Sequence, residues 1–371
     1  MSSVRRVLIY RLGSLGDTVV AVPCYHQIAR SFPNAIRWLM TNLPVSEKAP
    51  SPAEILDNSG LVHGYLSYPV RLRSVGGLIR LRKQILDFSP DVLVYLAAPR
   101  GIKQAGRDAF FLRACGIRRV IGLPSTEDLQ RNRWIEDRQA VEPEAERLAR
   151  CLNELGPIDL TDPQNWNLGL TAAEEQKAAE ALAPIGDEPF LGVSVGTKMQ
   201  IKDWGIENWT NALTRIGAEY PQFCLALVGA ASEFEASQQA ARQWPRRSVN
   251  LCGKLTPRET AAVLAKARLF LGHDSGPMHL AAAVQTPCVA VFAAIRMPAM
   301  WFPYGSQHRV LYHQVACAGC GLTTCIEHRR QCITSITVDE VVQAVRQQLQ
   351  PAADRQRDEG LRLYSPPRTA R

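Results

Sequence analysis

Two short apolar runs, residues 267–271 and 287–292, bracket the stretch Gly272-His273-Asp274-Ser275-Gly276-Pro277-Met278-His279 and the small residues Leu280-Ala281-Ala282-Ala283 after it. The runs have the length and apolarity of buried strands, and the stretch between them reads as a turn followed by a short helix. Two strands joined by a helix lie parallel in one sheet, so the chain must build an α/β layer here. Asp274 or Ser275 can cap the helix, and Gly276 lets another group approach the backbone closely. The free N–H groups and the dipole of that helix start favour an anion, above all a phosphate. His279 is expected one turn in, on the face that looks back at the same anion. Asp-Ser-Gly alone is equally a capped helix start followed by a core histidine; the full spacing D-S-G-P-M-H-x-A-A-A between two strands says more.

The chain has 371 residues, room for two domains with separate cores. Apolar content of 46% and charged content of 21% describe a globular protein. No apolar run approaches the roughly 18 residues a spanning helix needs. Residues 7–10 after Arg5-Arg6 are too few for the apolar part of a signal peptide and read as a strand, so a soluble, cytoplasmic protein is expected. Net charge of +8 points to an acidic partner: a nucleotide or an anionic lipid surface. Nucleic acid is disfavoured, because no basic stretch is interleaved with aromatics. Ten cysteines in a cytosolic chain suggest free thiols or a metal site.

In chain order, residues 4–10 form a strand and residues 11–17, Arg-Leu-Gly-Ser-Leu-Gly-Asp, its loop. A helix over 18–30 follows, kinked at Pro23. The dinucleotide fingerprint is incomplete, with only Gly13 and Gly16 at G-x-x-G spacing. Asp17 is either a helix cap or a carboxylate at the mouth of the sheet, suited to take a proton from a hydroxyl. Strands are predicted at 36–40, 91–96 and 118–123 and a helix at 142–155. Between 69 and 83 lie Arg71, Arg73, Arg80, Arg82 and Lys83, either a solvated face or a cradle for an acidic ligand. Residues 156–167, rich in Pro, Asp and Asn, suit a linker.

The second half restarts with a capping box, Thr171 and Glu174. A strand at 190–195 runs into Gly196-Thr197-Lys198, then Lys202-Asp203-Trp204 and a helix over 206–219. A strand at 223–228 ends in Gly229, with Glu233 beyond, and Thr256-Pro257-x-Glu259 opens another helix. A last helix spans 338–349. The pattern predicts two domains, 1–168 and 169–350, each a parallel sheet with helices on both faces, and a disordered tail at 351–371.

With the D-S-G-P-M-H-x-A-A-A stretch, the Gly16-Asp17 start and Lys202-x-Trp204 followed by Asn208-Trp209, the chain resembles glycosyltransferase family 9, the ADP-heptose:lipopolysaccharide heptosyltransferases, over residues 4–349. The resemblance implies the GT-B architecture of two Rossmann-like domains, a nucleotide-sugar donor such as ADP-heptose and an anionic glycolipid acceptor. It implies Asp17 as catalytic base, Lys202 and Thr197 on phosphate, Glu233 on ribose, and Leu255 against the base. Asp274 would orient the turn or the sugar hydroxyls, while Ser275, Gly276 and His279 complete the donor site. Acceptor contacts would come from Ser14, Gly16, Arg71 and Arg73 in the N-terminal domain. His273 stands where members usually carry asparagine, and Ala293-Ala294-Ile295-Arg296 where a glycine commonly follows the phenylalanine; both are expected near the sugar half of the donor site.

The sequence carries no D-x-D motif, so Lys202, the helix start and His279 are expected to replace a catalytic metal. Cys317, Cys320, Cys325 and Cys332 have short spacings that suit a structural zinc or iron, reduced thiols or a redox pair. Some family members carry a similar segment, and in a few it binds iron. Contact with the inner membrane surface is a further expectation. Two rival readings are a GT-B-fold nucleotide-sugar epimerase, which needs no acceptor, and an inactive relative kept as a scaffold.

Overall fold

A computed structural model describes residues 4–42, 50–69, 72 and 74–350, with the backbone of 364–365. The chain divides into two compact units after Leu170.

In the N-terminal unit the order is β1 (Arg6–Tyr10), α1 (Leu15–Val20), α2 (Val22–Ser31), β2 (Ile36–Asn42), α3 (Ala53–Leu56), β3 (Gly64–Tyr68), α4 (Val75–Phe88), β4 (Val92–Tyr95), α5 (Ile102–Ala114) and β5 (Arg119–Ile121). A ribbon of β6 (Trp134–Ile135) and β7 (Ala140–Val141) and helix α6 (Glu144–Cys151) complete it. The sheet is parallel with order β3-β2-β1-β4-β5. Strand order reverses at β1, which pairs with β2 on one side and β4 on the other, so the mouth at Tyr10 and Tyr95 is where this topology places a ligand. Leu8, Leu66 and Leu93 from the strands pack against Leu81, Ile85 and Phe88 of α4 and Leu112 of α5.

The C-terminal unit runs α7 (Ala172–Leu182), β8 (Phe190–Ser194), α8 (Ile206–Glu219), β9 (Cys224–Leu227), α9 (Phe234–Ala240), β10 (Ser248–Asn250), α10 (Pro257–Leu264), β11 (Leu269–His273), α11 (Gly276–Ala283), β12 (Cys288–Phe292), β13 (Arg309–His313), α12 (Gln331–Thr334) and α13 (Val338–Leu349). Its parallel sheet has order β10-β9-β8-β11-β12-β13, extended by Tyr364–Ser365 beside Tyr312 and His313. Here the reversal lies between β8 and β11, with Gly272 opposite Ser194. The loop after β8 and the turn after β11 therefore leave the sheet side by side.

Local chemistry explains most of these elements. The reciprocal box at Thr171 and Glu174 starts α7, and Glu174 also pairs with buried Arg258 of α10 at 2.6 Å. Helix α8 buries the stripe Trp209, Ala212, Leu213 and Ile216 at helical spacing.

Three expectations need correction. The helix expected over 18–30 is two helices broken at Ala21, and it begins at Leu15, which puts Gly16 and Asp17 in its first turn. Pro23 sits in the first turn of α2, where its missing N–H leaves no bond unmade, so it starts a helix rather than kinking one. The segment expected as a linker is packed: Trp166 is buried and donates from Nε1 to Leu160 O at 2.9 Å, and Arg30 of α2 donates to Asn165 Oδ1 at 2.7 Å. Most of the expected tail lies outside the described residues, but 364–365 within it pairs with β13.

Candidate active site

The loop after β8 carries Lys202 back to the turn after β11. Its ammonium lies 2.6 Å from Asp274 Oδ2 and donates to Asp274 O at 3.3 Å. The lysine side chain is 18% exposed and the aspartate 9%, so the cation is the more open partner. Helix α11 opens immediately after, with Ser275 as N-cap and Pro277 in its first turn. Ser275 Oγ is buried without a hydrogen-bond partner among the described residues, as is Ser194 Oγ at the end of β8. A helix start, a lysine ammonium and a hydroxyl awaiting a partner form a receptor for an anion.

Glu233 reaches into the same mouth from the next strand end. Its Oε2 accepts from Ala230 N at 2.9 Å, and a Cβ at either Gly196 or Gly229 would collide with its carboxylate. Those glycines exist for the close approach rather than for a turn. Burial pushes the Glu233 carboxyl above its ordinary range, opposed by the Ala230 N–H and by Lys198. Thr197 is half-buried in the β8 loop, and its hydroxyl accepts from Met199 N at 3.4 Å. Leu255 is half-buried after the Gly253 turn, beside Lys254, whose ammonium stands 5.6 Å from the Phe234 ring centre. His279 is buried, with its ring edge-on to Trp301 at 6.3 Å.

His273 corrects its expected place. It is fully buried, and its Nε2 accepts from Trp204 N at 3.0 Å and from Trp209 Nε1 at 3.1 Å. Burial pushes its pKa down to about 4, so the ring is neutral and can accept both bonds. His273 thus anchors the loop that carries Lys202 instead of lining the site. Ala293, Ala294 and Ile295 are also buried, with the carbonyls of Ala294 and Ile295 accepting from Gly319 N at 2.8 Å and Gly321 N at 3.0 Å.

At the N-terminal mouth, Asp17 Oδ2 accepts from Ser14 N at 2.8 Å and Ser14 Oγ at 3.2 Å. Its other oxygen lies 3.9 Å from Arg11 Nη2, and 27% of the side chain is exposed. Arg11 itself is buried and donates to Leu96 O at 2.6 Å and Asp17 O at 2.7 Å. A Cβ at Gly13 (φ +126°) would collide with Asp17. One oxygen is held by the cap, which aims the carboxylate. Ser14 spends its N–H and hydroxyl on Asp17, and Gly16 sits inside α1. Arg71 and Arg73 lie outside the described residues.

All ten cysteines are free thiols. Cys317, Cys320, Cys325 and Cys332 line one cavity of about 240 Å³. Burial pushes the Cys332 thiol up, and the other three cysteines add to the effect. Among the described residues no group of three or more His, Cys, Asp or Glu is gathered closely enough to hold a metal ion. The donor set, four soft thiols round one space, fits a thiophilic ion, while the sulfurs as placed have yet to converge on one.

Residues 104–330, more than half the chain, match the profile of glycosyltransferase family 9 (heptosyltransferase). The chain belongs to glycosyltransferase family 9. Lipooligosaccharide heptosyltransferase 2 of Campylobacter jejuni is 30% identical over 95 residues, 25% of this chain and 30% of that protein. The match thus spans about a third of that relative's length. Among solved structures, Escherichia coli ADP-heptose lps heptosyltransferase II is similar with a TM-score of 0.63 at 17% identity, over 96% of this chain and 100% of that one. The iron-containing dodecameric heptosyltransferase TibC of enterotoxigenic E. coli, in complex with ADP-D-beta-D-heptose, has a TM-score of 0.52 at 14% identity, over 93% and 76%. The fold of this family 9 chain is accordingly GT-B, with two Rossmann-like domains.

Within that fold the sequence pointed to Lys202, Asp274, Ser275 and Glu233, which the structure brings to one sheet mouth. It missed Arg11, Ser194 and Arg330. Arg11 had a signal, a cation directly after the first strand. Arg330 had none: it donates to Gln200 O at 3.3 Å and Asp203 O at 2.7 Å, tying a distant segment to the Lys202 loop.

Proposed function

We propose that the protein is an inverting glycosyltransferase that moves a heptose from ADP-heptose onto a lipopolysaccharide-core or related anionic glycan. The observation that carries this is the meeting of Lys202, Asp274 and the buried Ser275 hydroxyl at the start of α11. The leaving diphosphate gathers negative charge as the glycosidic bond breaks, and a lysine with helix N–H groups stabilises that charge. Thr197 adds a phosphate contact, Glu233 takes the ribose hydroxyls, Leu255 packs on the base, and Gly276 and His279 complete the donor pocket.

In the 1–168 domain, Asp17 removes the proton from the acceptor hydroxyl as that oxygen attacks the anomeric carbon from behind. Ser14, Gly16, Arg71 and Arg73 hold the acceptor, the arginines meeting its anionic groups. No metal is needed for transfer on this reading. Cys317, Cys320, Cys325 and Cys332 would be the ligands of a structural zinc or iron that braces the segment without touching substrate, the other reading being four reduced thiols. Less than about 0.2 equivalents of either metal in anaerobically purified protein would remove that part. The protein works in the cytoplasm, at the inner membrane surface where a lipid-linked acceptor is found.

The test is mass spectrometry of products. Purified protein receives ADP-heptose or other nucleotide sugars with a truncated lipopolysaccharide, beside Asp17→Asn. Glycosylated acceptor and ADP, lost in the variant, are expected. Turnover that survives in Asp17→Asn places the base elsewhere, and use of a different donor replaces heptose.

A further inference from the structure

Ten large apolar side chains are exposed among the described residues, and six of them belong to α4 and α5: Val75, Leu78, Ile79, Leu86, Ile102 and Phe110. The two helices are neighbours. They share one core through Leu81, Ile85, Phe88 and Leu112, and Arg82 Nε donates to Ala114 O, at the end of α5, at 2.9 Å.

At about 100° per residue, the buried seam of α4 (Gly77, Leu81, Ile85, Phe88) leaves Val75, Leu78, Ile79 and Leu86 in one arc beside it. Arg82 falls within that arc and Lys83 at its border. On α5 the same construction puts Ile102, Phe110 and Arg113 in one arc, with Lys103 and Arg107 at its border. Phe110 is 76% exposed, Val75 73% and Ile79 63%, so these are not core residues glimpsed at an edge.

The charge is one-sided. The two helices carry six basic residues and two acidic ones. Of the acids, Asp108 is committed to Arg100 at 2.6 Å and to the Tyr95 hydroxyl at 2.8 Å. Asp87 lies on the other flank of α4 together with Arg80, which leaves five basic residues on this side. Scattered exposed apolar residues are ordinary; a contiguous set rimmed by cations is a contact surface. Among the described residues no helix is long and apolar enough to cross a membrane, so such a face can lie on a bilayer but not span it.

We propose that the α4–α5 face docks the protein on an anionic bilayer surface. The apolar side chains enter the headgroup boundary, and Arg82, Lys83, Lys103, Arg107 and Arg113 meet lipid phosphates. Charge complementarity selects this occupant over a second copy, since two identical faces would bring like charges together. The proposal holds whatever sugar the protein transfers.

Flotation of the full chain with vesicles tests it. Wild-type protein is expected to float with phosphatidylglycerol vesicles and about tenfold less with phosphatidylcholine vesicles. The double variants Ile79→Ser with Phe110→Ser, and Lys103→Gln with Arg107→Gln, should each lose about tenfold of the phosphatidylglycerol binding. All four positions are exposed, and circular dichroism and thermal melts should match wild type. Absence of flotation with anionic vesicles, or binding unchanged in both double variants, overturns the proposal. A wild-type dimer that Ile79→Ser with Phe110→Ser turns into a monomer also overturns it, because the face would then be a self-interface.

Discussion

The two sheet mouths are built alike and charged oppositely. Each is a strand end, a short turn and a helix start at the point where strand order reverses, and each pairs a cation with a carboxylate there, Arg11 with Asp17 and Lys202 with Asp274. In the N-terminal unit the cation is hidden: Arg11 is 1% exposed and Asp17 27%. In the C-terminal unit the carboxylate is the more hidden partner, and Asp274 presents Lys202. Burying one member of an ion pair fixes it, and the other then faces the ligand. The same frame thus leaves a carboxylate the more open partner in one unit and an ammonium the more open partner in the other.

Breaking each mouth should have its own kinetic signature. The largest effect is expected for Asp17→Asn, with kcat lowered about a thousandfold and donor KM little changed, read by steady-state turnover with ADP-heptose. Lys202→Met should lower kcat about a hundredfold, because the charge it meets grows as the diphosphate departs. An equal loss from both variants in KM alone would mean that neither residue meets the reacting atoms. Gly196→Ala sharpens the contrast: the new methyl displaces Glu233, so ADP affinity measured by calorimetry should fall about tenfold, near 1.4 kcal/mol, with thermal stability little changed.

The smallest effect is on stability, and it falls on the C-terminal unit. His273 and His308 are buried there with pKa values pushed down to about 4 by desolvation. An unfolded histidine titrates near ~6.5, so between that pH and about 4 the unfolded chain binds more protons than the folded one. Stability is therefore full above about pH 6.5 and declines as pH falls, by up to ~1.4 kcal/mol per pH unit for each histidine. Urea melts followed by the fluorescence of Trp204 and Trp209 should show that slope, and His308→Asn should flatten it.

Sequence made the central strand–turn–helix units legible because they rest on local chemistry. The helices over 206–219 and 338–349 appear with the ends expected, and the boxes at Thr171 and Thr256 start helices as their spacing dictates. What escaped depends on partners far along the chain. The short strands β3, β10 and β13 pair at or near sheet edges and carry mixed polar patterns, so periodicity says little of them. Residues 156–167 looked like a linker by composition, yet Trp166 finds a buried seat. The basic character of 71–83 was plain; the apolar arc of α4 became visible only once Gly77, Leu81 and Ile85 were known to face inward. At the site, Asp274 and Lys202 could be named from order along the chain. The destination of His273 could not, because its partners lie 69 and 64 positions earlier.

The loop bearing Lys202 contains only one 3-10 turn, Gln200–Lys202, and borrows its remaining order from later segments. His273 receives the Trp204 N–H, Thr323 O receives that of Ile201, Arg330 holds the carbonyls of Gln200 and Asp203, and Ile336 O receives the Trp204 indole. During synthesis that lysine leaves the ribosome well before any of these braces. The mouth that carries Lys202 therefore gains its last braces after β8 and β9 already have the residues to pair. A nascent chain stopped short of residue 317 would carry the lysine, the helix start and the His273 brace but lack those from Thr323, Arg330 and Ile336, so the loop would be only partly held until that later segment emerged.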